Sequence, residues 1–168
     1  MANSMDTILV KYSGSKEAIL IQEFLAKNPK ELTEDEQKIQ EATQIIYDLN
    51  SKEPPLYKGF PTLDPEKPLI INCAGTEHSS GAASFFPEKN EIGFVDKKAD
   101  IVVTLSHELR HAEQYAQLEH RQIMQGNDNL AKQWIFFMDE WDAFLTSAIV
   151  CAQTGRTDTV SISPVSLY

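Results

Sequence analysis

Cysteine is scarce in this chain: Cys73 and Cys151 are the only two in 168 residues. They share no CxxC spacing and sit among apolar neighbours, which predicts two buried thiols rather than one disulfide and fits a reducing compartment. Positive charge is also short, with 15 Lys and Arg against 25 Asp and Glu and a net charge of −10. The acids are scattered among the lysines, so neither a phosphate-binding surface nor a nucleic-acid partner is expected. Long apolar runs are missing as well. None approaches the roughly 18 residues needed to span a bilayer, and no membrane partner is expected. The opening "MANSMDTILVKYSGSKEAIL" has no basic segment followed by the roughly 7 to 15 apolar residues of a signal peptide. The expected location is cytoplasmic, or outside the cell by a route that needs no signal peptide. There is no internal repeat and no low-complexity tract. What is present is 42% hydrophobic residues, enough for one ordinary core and too little for two, so residues 1–168 are read as a single domain.

The period of the apolar residues changes along the chain. Ser15 is placed to cap a first helix, "SKEAILIQEFLAKN", with Ala18, Ile21 and Leu25 on its apolar side. Thr33 with Glu36 makes a capping box for a second, in which Ile39, Ala42, Ile46 and Leu49 recur at helical spacing. These form an N-terminal helical part over about residues 15–50. The stretch "SKEPPLYKGFPTLDPEKP" is rich in proline and reads as a connecting loop. "LIIN", "ASFF" and "EIGFV" then read as three strands, the last two around the turn "PEKN", giving a small sheet over about 69–95. Helical spacing returns over about 101–118 and again over about 130–153, the latter through Trp134, Met138, Trp141, Leu145 and Ala148. The fold class is α+β. The tail "TGRTDTVSISPVSLY" reads equally as a loose end or one late strand.

The first of these two helices holds "TLSHELRHAEQ". Each helical residue advances about 100°, so His107 and His111 lie about 40° apart and one turn apart, with rings able to converge on one point. Leu105, Leu109, Ala112 and Ala116 occupy the other side. Two histidines at this spacing supply two of the three protein ligands of a catalytic zinc site without distorting the helix. Glu108 projects about 60° from His111, suited to reach a water at the open metal position and to shuttle its proton. By composition alone an HExxH string arises on the order of once in a hundred such chains, so context matters. Helical period on both sides, the apolar "IVVTL" leading in, and the absence of Pro and Gly from Ile101 to Gln125 favour a metal-binding helix over two unrelated surface histidines.

"HELRHAEQ", followed some thirty residues later by "EWDA", resembles the zincin metallopeptidases, in the gluzincin-like branch where a glutamate from a second helix is the third ligand. It is most similar to small bacterial metallopeptidase-like proteins carrying HELRHAxQ and then ExDA. The resemblance covers roughly residues 83–150 and nothing of the first 65. It implies a minimal zincin-like domain: a small sheet packed on an active-site helix and a second metal-ligand helix, with extra N-terminal helices. It also implies Zn2+ as cofactor, a peptide or protein substrate, and an edge strand, "EIGFV" or "ASFF", that pairs with the extended substrate backbone. Metzincins match poorly, because Gln114 and Gln117 stand where that motif needs Gly and His.

The third ligand is left open by geometry. Asp139, Glu140 and Asp142 point roughly 100° to 200° apart, so only one faces the metal squarely. Asp142 and Glu140 flank the helix's apolar side at about 80° and 120°. The longer arm of glutamate suits helices packed about 8 to 10 Å apart, and the resemblance implies a small residue three positions on, here Ala143. Glu140 is the expected ligand, with Asp142 the alternative and otherwise a supporting acid for His107, His111 or Arg110. Tyr115, one turn beyond His111, is a candidate to approach the substrate oxyanion, against an ordinary core role. Arg110 is expected to pair with Asp139 or Asp142. Gln114 is expected to hold a loop or a water, or simply to be solvated, and His78 and His120 read as surface or loop histidines. The expected function is a zinc-dependent peptidase or amide hydrolase with Glu108 as general base. The alternatives are a zincin-like metal-binding module with little turnover, or a delivered bacterial effector with a single protein target.

Overall fold

The computed structural model describes residues 2–61, 64–74, 82–95 and 100–156. His78 and the tail beyond Arg156 lie outside the described residues. Two short strands near the start correct the expected first helix. Leu9–Lys11 forms β1 and Ile19–Leu20 forms β2, paired antiparallel with Val10 opposite Ile19. Helix α1 begins only at Ile21 and ends at Leu25. Ser15 does not cap it; its hydroxyl donates to the Glu17 carbonyl. The physical reason is alternation. Ile8 and Val10 are buried while Leu9 and Lys11 are not, a two-residue period that satisfies a sheet, and of α1 only Ile21 and Phe24 are fully buried.

Helix α2, Glu34–Asn50, starts at the capping box read from the sequence. The Thr33 hydroxyl accepts the Glu36 N–H at 3.2 Å, and Glu36 Oε1 accepts the Thr33 N–H at 3.0 Å. Glu36 does more than cap. Its Oε2 also accepts the N–H of Ser13 at 2.8 Å and the Ser13 hydroxyl at 2.9 Å, tying the β1–β2 turn to α2. Burial works to raise the Glu36 pKa, and the N–H groups of Thr33 and Ser13 overcome it, holding it below the ordinary 4.5. A carboxylate depressed in this way contributes stability that is present above its unfolded value and is lost as pH falls through the lower folded one. Glu36→Ala is therefore expected to cost about 1–3 kcal/mol near neutral pH, because two backbone donors lose their acceptor. It is also expected to flatten the loss of stability below about pH 4.5, which urea melts of the two proteins at neutral and acidic pH measure.

The other three strands fall where the sequence places them: β3 Ile70–Asn72, β4 Ala83–Phe86 and β5 Glu91–Phe94. Together with β1 and β2 they make a five-stranded mixed sheet, not one of three strands, in the order β2-β1-β3-β5-β4. The β1–β3 and β3–β5 pairs are parallel and the outer pairs antiparallel. Register aligns Val10, Ile71 and Ile92 in one row, all fully buried. That row shares a core with Ile39 and Ile46 of α2 and with Leu105 and Leu109 of the next helix.

Helix α3 spans Ile101–Tyr115, α4 Leu118–Gln125 and α5 Asn129–Thr154. The helix expected to run to residue 118 thus stops at Tyr115, and the chain turns through Ala116 and Gln117 into α4. Helix α3 packs against α2, α5 and β4. The described part of the proline-rich connection is anchored beneath it. Tyr57 is fully buried and donates its hydroxyl to the Ser106 carbonyl at 2.8 Å. Cys73 and Cys151 are both buried, as expected. No helix among the described residues is long and apolar enough to cross a membrane.

Candidate metal centre

Helix α3 is capped by Asp100, whose carboxylate accepts the Val102 N–H at 3.0 Å. Its inner side, led by Ile101, Val102, Leu105, Leu109 and Ala112, is buried in the core. With that face pinned, His107, Glu108, His111 and Tyr115 are presented together to a cleft of about 460 Å3, which Phe85 of β4 and Glu140 of α5 also line.

The two imidazoles converge, with Nε2 of His107 and Nε2 of His111 3.1 Å apart. From α5, Glu140 places Oε1 2.8 Å from the His111 Nε2 and Oε2 3.5 Å from the His107 Nε2. These three residues could hold a metal ion, their donor atoms all lying within 4.8 Å of one another. The spacing suits a small cation: tetrahedral coordination with bonds of 2.0 to 2.1 Å separates two ligand atoms by about 3.3 Å. Phe144 closes one side, its ring 4.8 Å from that of His107.

A hydrogen bond behind the site orients the His111 ring. The Gln114 amide nitrogen donates to the Asp139 carbonyl at 3.1 Å and to Asp142 Oδ2 at 3.0 Å, neither of which can donate. Its oxygen must then face His111, 3.0 Å from Nδ1. An amide oxygen only accepts, so Nδ1 carries a hydrogen and donates it to Gln114, and Nε2, directed at Glu140, is the nitrogen available to a metal once its own hydrogen has left. Gln114 is buried, not the solvated glutamine that sequence allows.

Asp142 is turned away from the histidines. Its Oδ2 accepts Nε of Arg110 at 2.7 Å as well as the Gln114 amide. Arg110 is also paired with Glu113, whose Oε2 accepts the N–H groups of Lys58 at 2.5 Å and Gly59 at 3.2 Å. Of the three acids on α5, only Glu140 meets the histidine pair. Asp142 supports Arg110 and Gln114, and Asp139 pairs with His120. That last contact corrects the reading of His120 as a surface residue. The turn at Ala116–Gln117 folds α4 back on α5, burying His120 beside Tyr115, with 5.3 Å between their rings. No glycine or proline marks the turn, so the only signal available was the loss of helical period after Ala116.

The electrostatics follow from enclosure and pairing. Burial works to raise the Glu140 pKa, but hydrogen bonds from His107 and His111 hold it at about 2. Burial works to lower that of His111, and Glu140 and Glu108 raise it instead. Glu108 is raised by burial between α3 and β4, a shift that the neighbouring histidines and the Phe85 N–H only partly offset. Its Oε2 accepts that N–H at 2.9 Å.

This contact locates the site against the sheet. Among the described residues, strand β4 is the outermost strand on that side, and β5 is interior, between β3 and β4. Val95 donates to the Ala82 carbonyl at 2.9 Å, so Ala82 and Val95 are a hydrogen-bonded pair and the alternation puts the backbone groups of Ala83 and Phe85 on the outer edge. "ASFF" is thus the edge strand beside the cleft. Tyr115 stands across from it, its ring edge-on to Phe85 at 6.0 Å. In comparisons with known proteins, the chain matches no family model, no curated protein and no solved structure.

Proposed function

We propose that the protein is a zinc-dependent peptidase or amide hydrolase of the gluzincin-like kind that its HELRHAEQ and EWDA motifs resemble. The observation that carries this reading is the convergence of two imidazole nitrogens and one carboxylate next to the half-buried Glu108, in a cleft along β4, which no further strand among the described residues covers. The N, N, O donor set and the tautomer imposed by Gln114 fit Zn2+, with His107, His111 and Glu140 as its ligands. When bound, zinc supplies Lewis acidity that polarises a substrate carbonyl and makes water easier to deprotonate.

The chain's own residues supply the rest. Glu108 takes a proton from the attacking water at Oε1, while Oε2 stays anchored to the Phe85 N–H. It returns that proton to the departing amine nitrogen. Its burial favours the protonated form between the two transfers, which a carboxylate in water would hold too weakly. The outer edge of β4 offers the Ala83 carbonyl and the Phe85 carbonyl to an extended peptide. In this reading Tyr115, across the cleft, donates its hydroxyl hydrogen to the oxygen of the attacked carbonyl. Digestion of a mixed peptide library by zinc-loaded protein, with new termini read by mass spectrometry, tests the proposal. Cleavage that stops on chelation and returns with zinc is expected. A fully zinc-loaded protein that cuts nothing would favour a metal-binding module instead.

A further inference from the structure

The apolar face that marks α5 as a core helix in the sequence is exposed to solvent. Trp134 is 60% exposed, Met138 55%, Trp141 43%, Leu145 44% and Ile149 49%. The buried residues of α5 are Ala143, Thr146, Ser147, Val150 and Cys151, on the opposite side. At about 100° per residue, Trp134, Met138, Trp141, Leu145, Ala148 and Ala152 fall within about 40° of one line. Their steps alternate between four and three residues, the 3.5-residue repeat by which two helices wind together.

The area is large for a face left to water. With about 150 to 250 Å2 on a large side chain, the exposed fractions leave roughly 500 Å2 of apolar surface in this stripe. A partner in a stable complex contributes roughly 800 Å2 in all, polar rim included. Charge narrows the choice of occupant. Lys132 is the only basic residue of α5, whereas a helix that lies on an anionic lipid surface flanks its apolar face with Lys and Arg. No acidic or basic residue occurs from Ala143 to Gly155. Asp139, Glu140 and Asp142 are engaged by His120, the histidine pair and Arg110. Two copies of a chain with net charge −10 repel each other over most of their surface, and the stripe from Trp134 to Ala152 is itself made of uncharged residues.

The order of side chains is self-complementary. About a two-fold axis passing between Trp141 and Leu145, an antiparallel second copy sets Trp134 against Ala152, Met138 against Ala148 and Trp141 against Leu145. Every layer then faces a large side chain with a smaller one, and the contact is isologous and closed. We propose that the outer face of α5 is a homodimer interface in which two copies of this chain pack antiparallel. The dimer would brace, from outside, the helix that carries Glu140 on its inner side.

Sedimentation velocity on the full chain, over a concentration series, tests this. The unsubstituted protein is expected to sediment as a dimer. Leu145→Glu is expected to weaken the dimer by roughly thirtyfold or more, as a lost central anchor does, with an unchanged circular dichroism spectrum because the position faces solvent. Ala148→Trp is the sharper variant: it enlarges the apolar surface, yet it should weaken the dimer because the space opposite Met138 is filled. A wild-type chain that stays monomeric overturns the proposal, including the case in which residues 157–168 cover the stripe. So does a dimer that survives Leu145→Glu, and one that Ala148→Trp leaves intact overturns the antiparallel pairing.

Discussion

Glu108→Gln is expected to keep its metal and to lose hydrolysis by on the order of a hundredfold or more. The amide is nearly isosteric with the carboxylate, and its oxygen can still accept the Phe85 N–H that holds the side chain against β4. His107, His111 and Glu140 are untouched, so metal content should be unchanged. What disappears is the group proposed to carry a proton from water to the leaving nitrogen. Side-by-side assay of the variant on a peptide cleaved by the wild type, with metal content measured on the same samples, reads both halves. Full activity in the variant would show that Glu108 is not the base.

The second large effect separates the acids of α5. Glu140→Ala removes the carboxylate that sits 2.8 Å from the His111 Nε2 and is expected to lose metal most severely. Asp142→Ala leaves all three donors in place but releases the Gln114 amide and Arg110. A loss of about 10- to 100-fold in affinity is expected there, and a similar loss in Gln114→Leu, since the hydrogen bond that sets the His111 tautomer is gone. Asp139→Ala touches only the His120 pair and should affect metal least. Titration of the chelator-stripped proteins with zinc ranks them. A site emptied by Asp142→Ala and kept full in Glu140→Ala would exchange the roles of the two acids.

The sequence made parts of this legible for physical reasons. A helix of four turns repeats its period often enough to be read, and so α2, α3 and α5 and the shared direction of His107 and His111 were visible. Which acid of "MDEWDAF" meets them was not, because angles around one helix say nothing about how far the next helix is rotated. The structure supplies that rotation, bringing Glu140 to the histidines and Asp142 to Arg110. Strands β1 and β2 are three and two residues long, too short for a period to show, and the apolar run "ILIQEFL" suits a helix equally well. His120 was missed for a related reason: it is buried by a chain reversal that no glycine or proline marks, whereas Tyr57 sits in a proline-rich connection whose residues carry no period to tell a buried side chain from an exposed one. The apolar side of α5 shows the opposite limit. Periodicity announces that a face seeks burial and is silent on whether the covering surface belongs to the same chain.

The central claim is that His107, His111 and Glu140 hold zinc, and metal content tests it most directly. Protein purified without chelator and analysed by inductively coupled plasma mass spectrometry should carry about one zinc per chain, the stoichiometry of a site with three protein ligands. Triple substitution of those ligands by alanine should bring the content to zero. Wild-type protein that holds no zinc, and takes up none when it is supplied, would contradict the account.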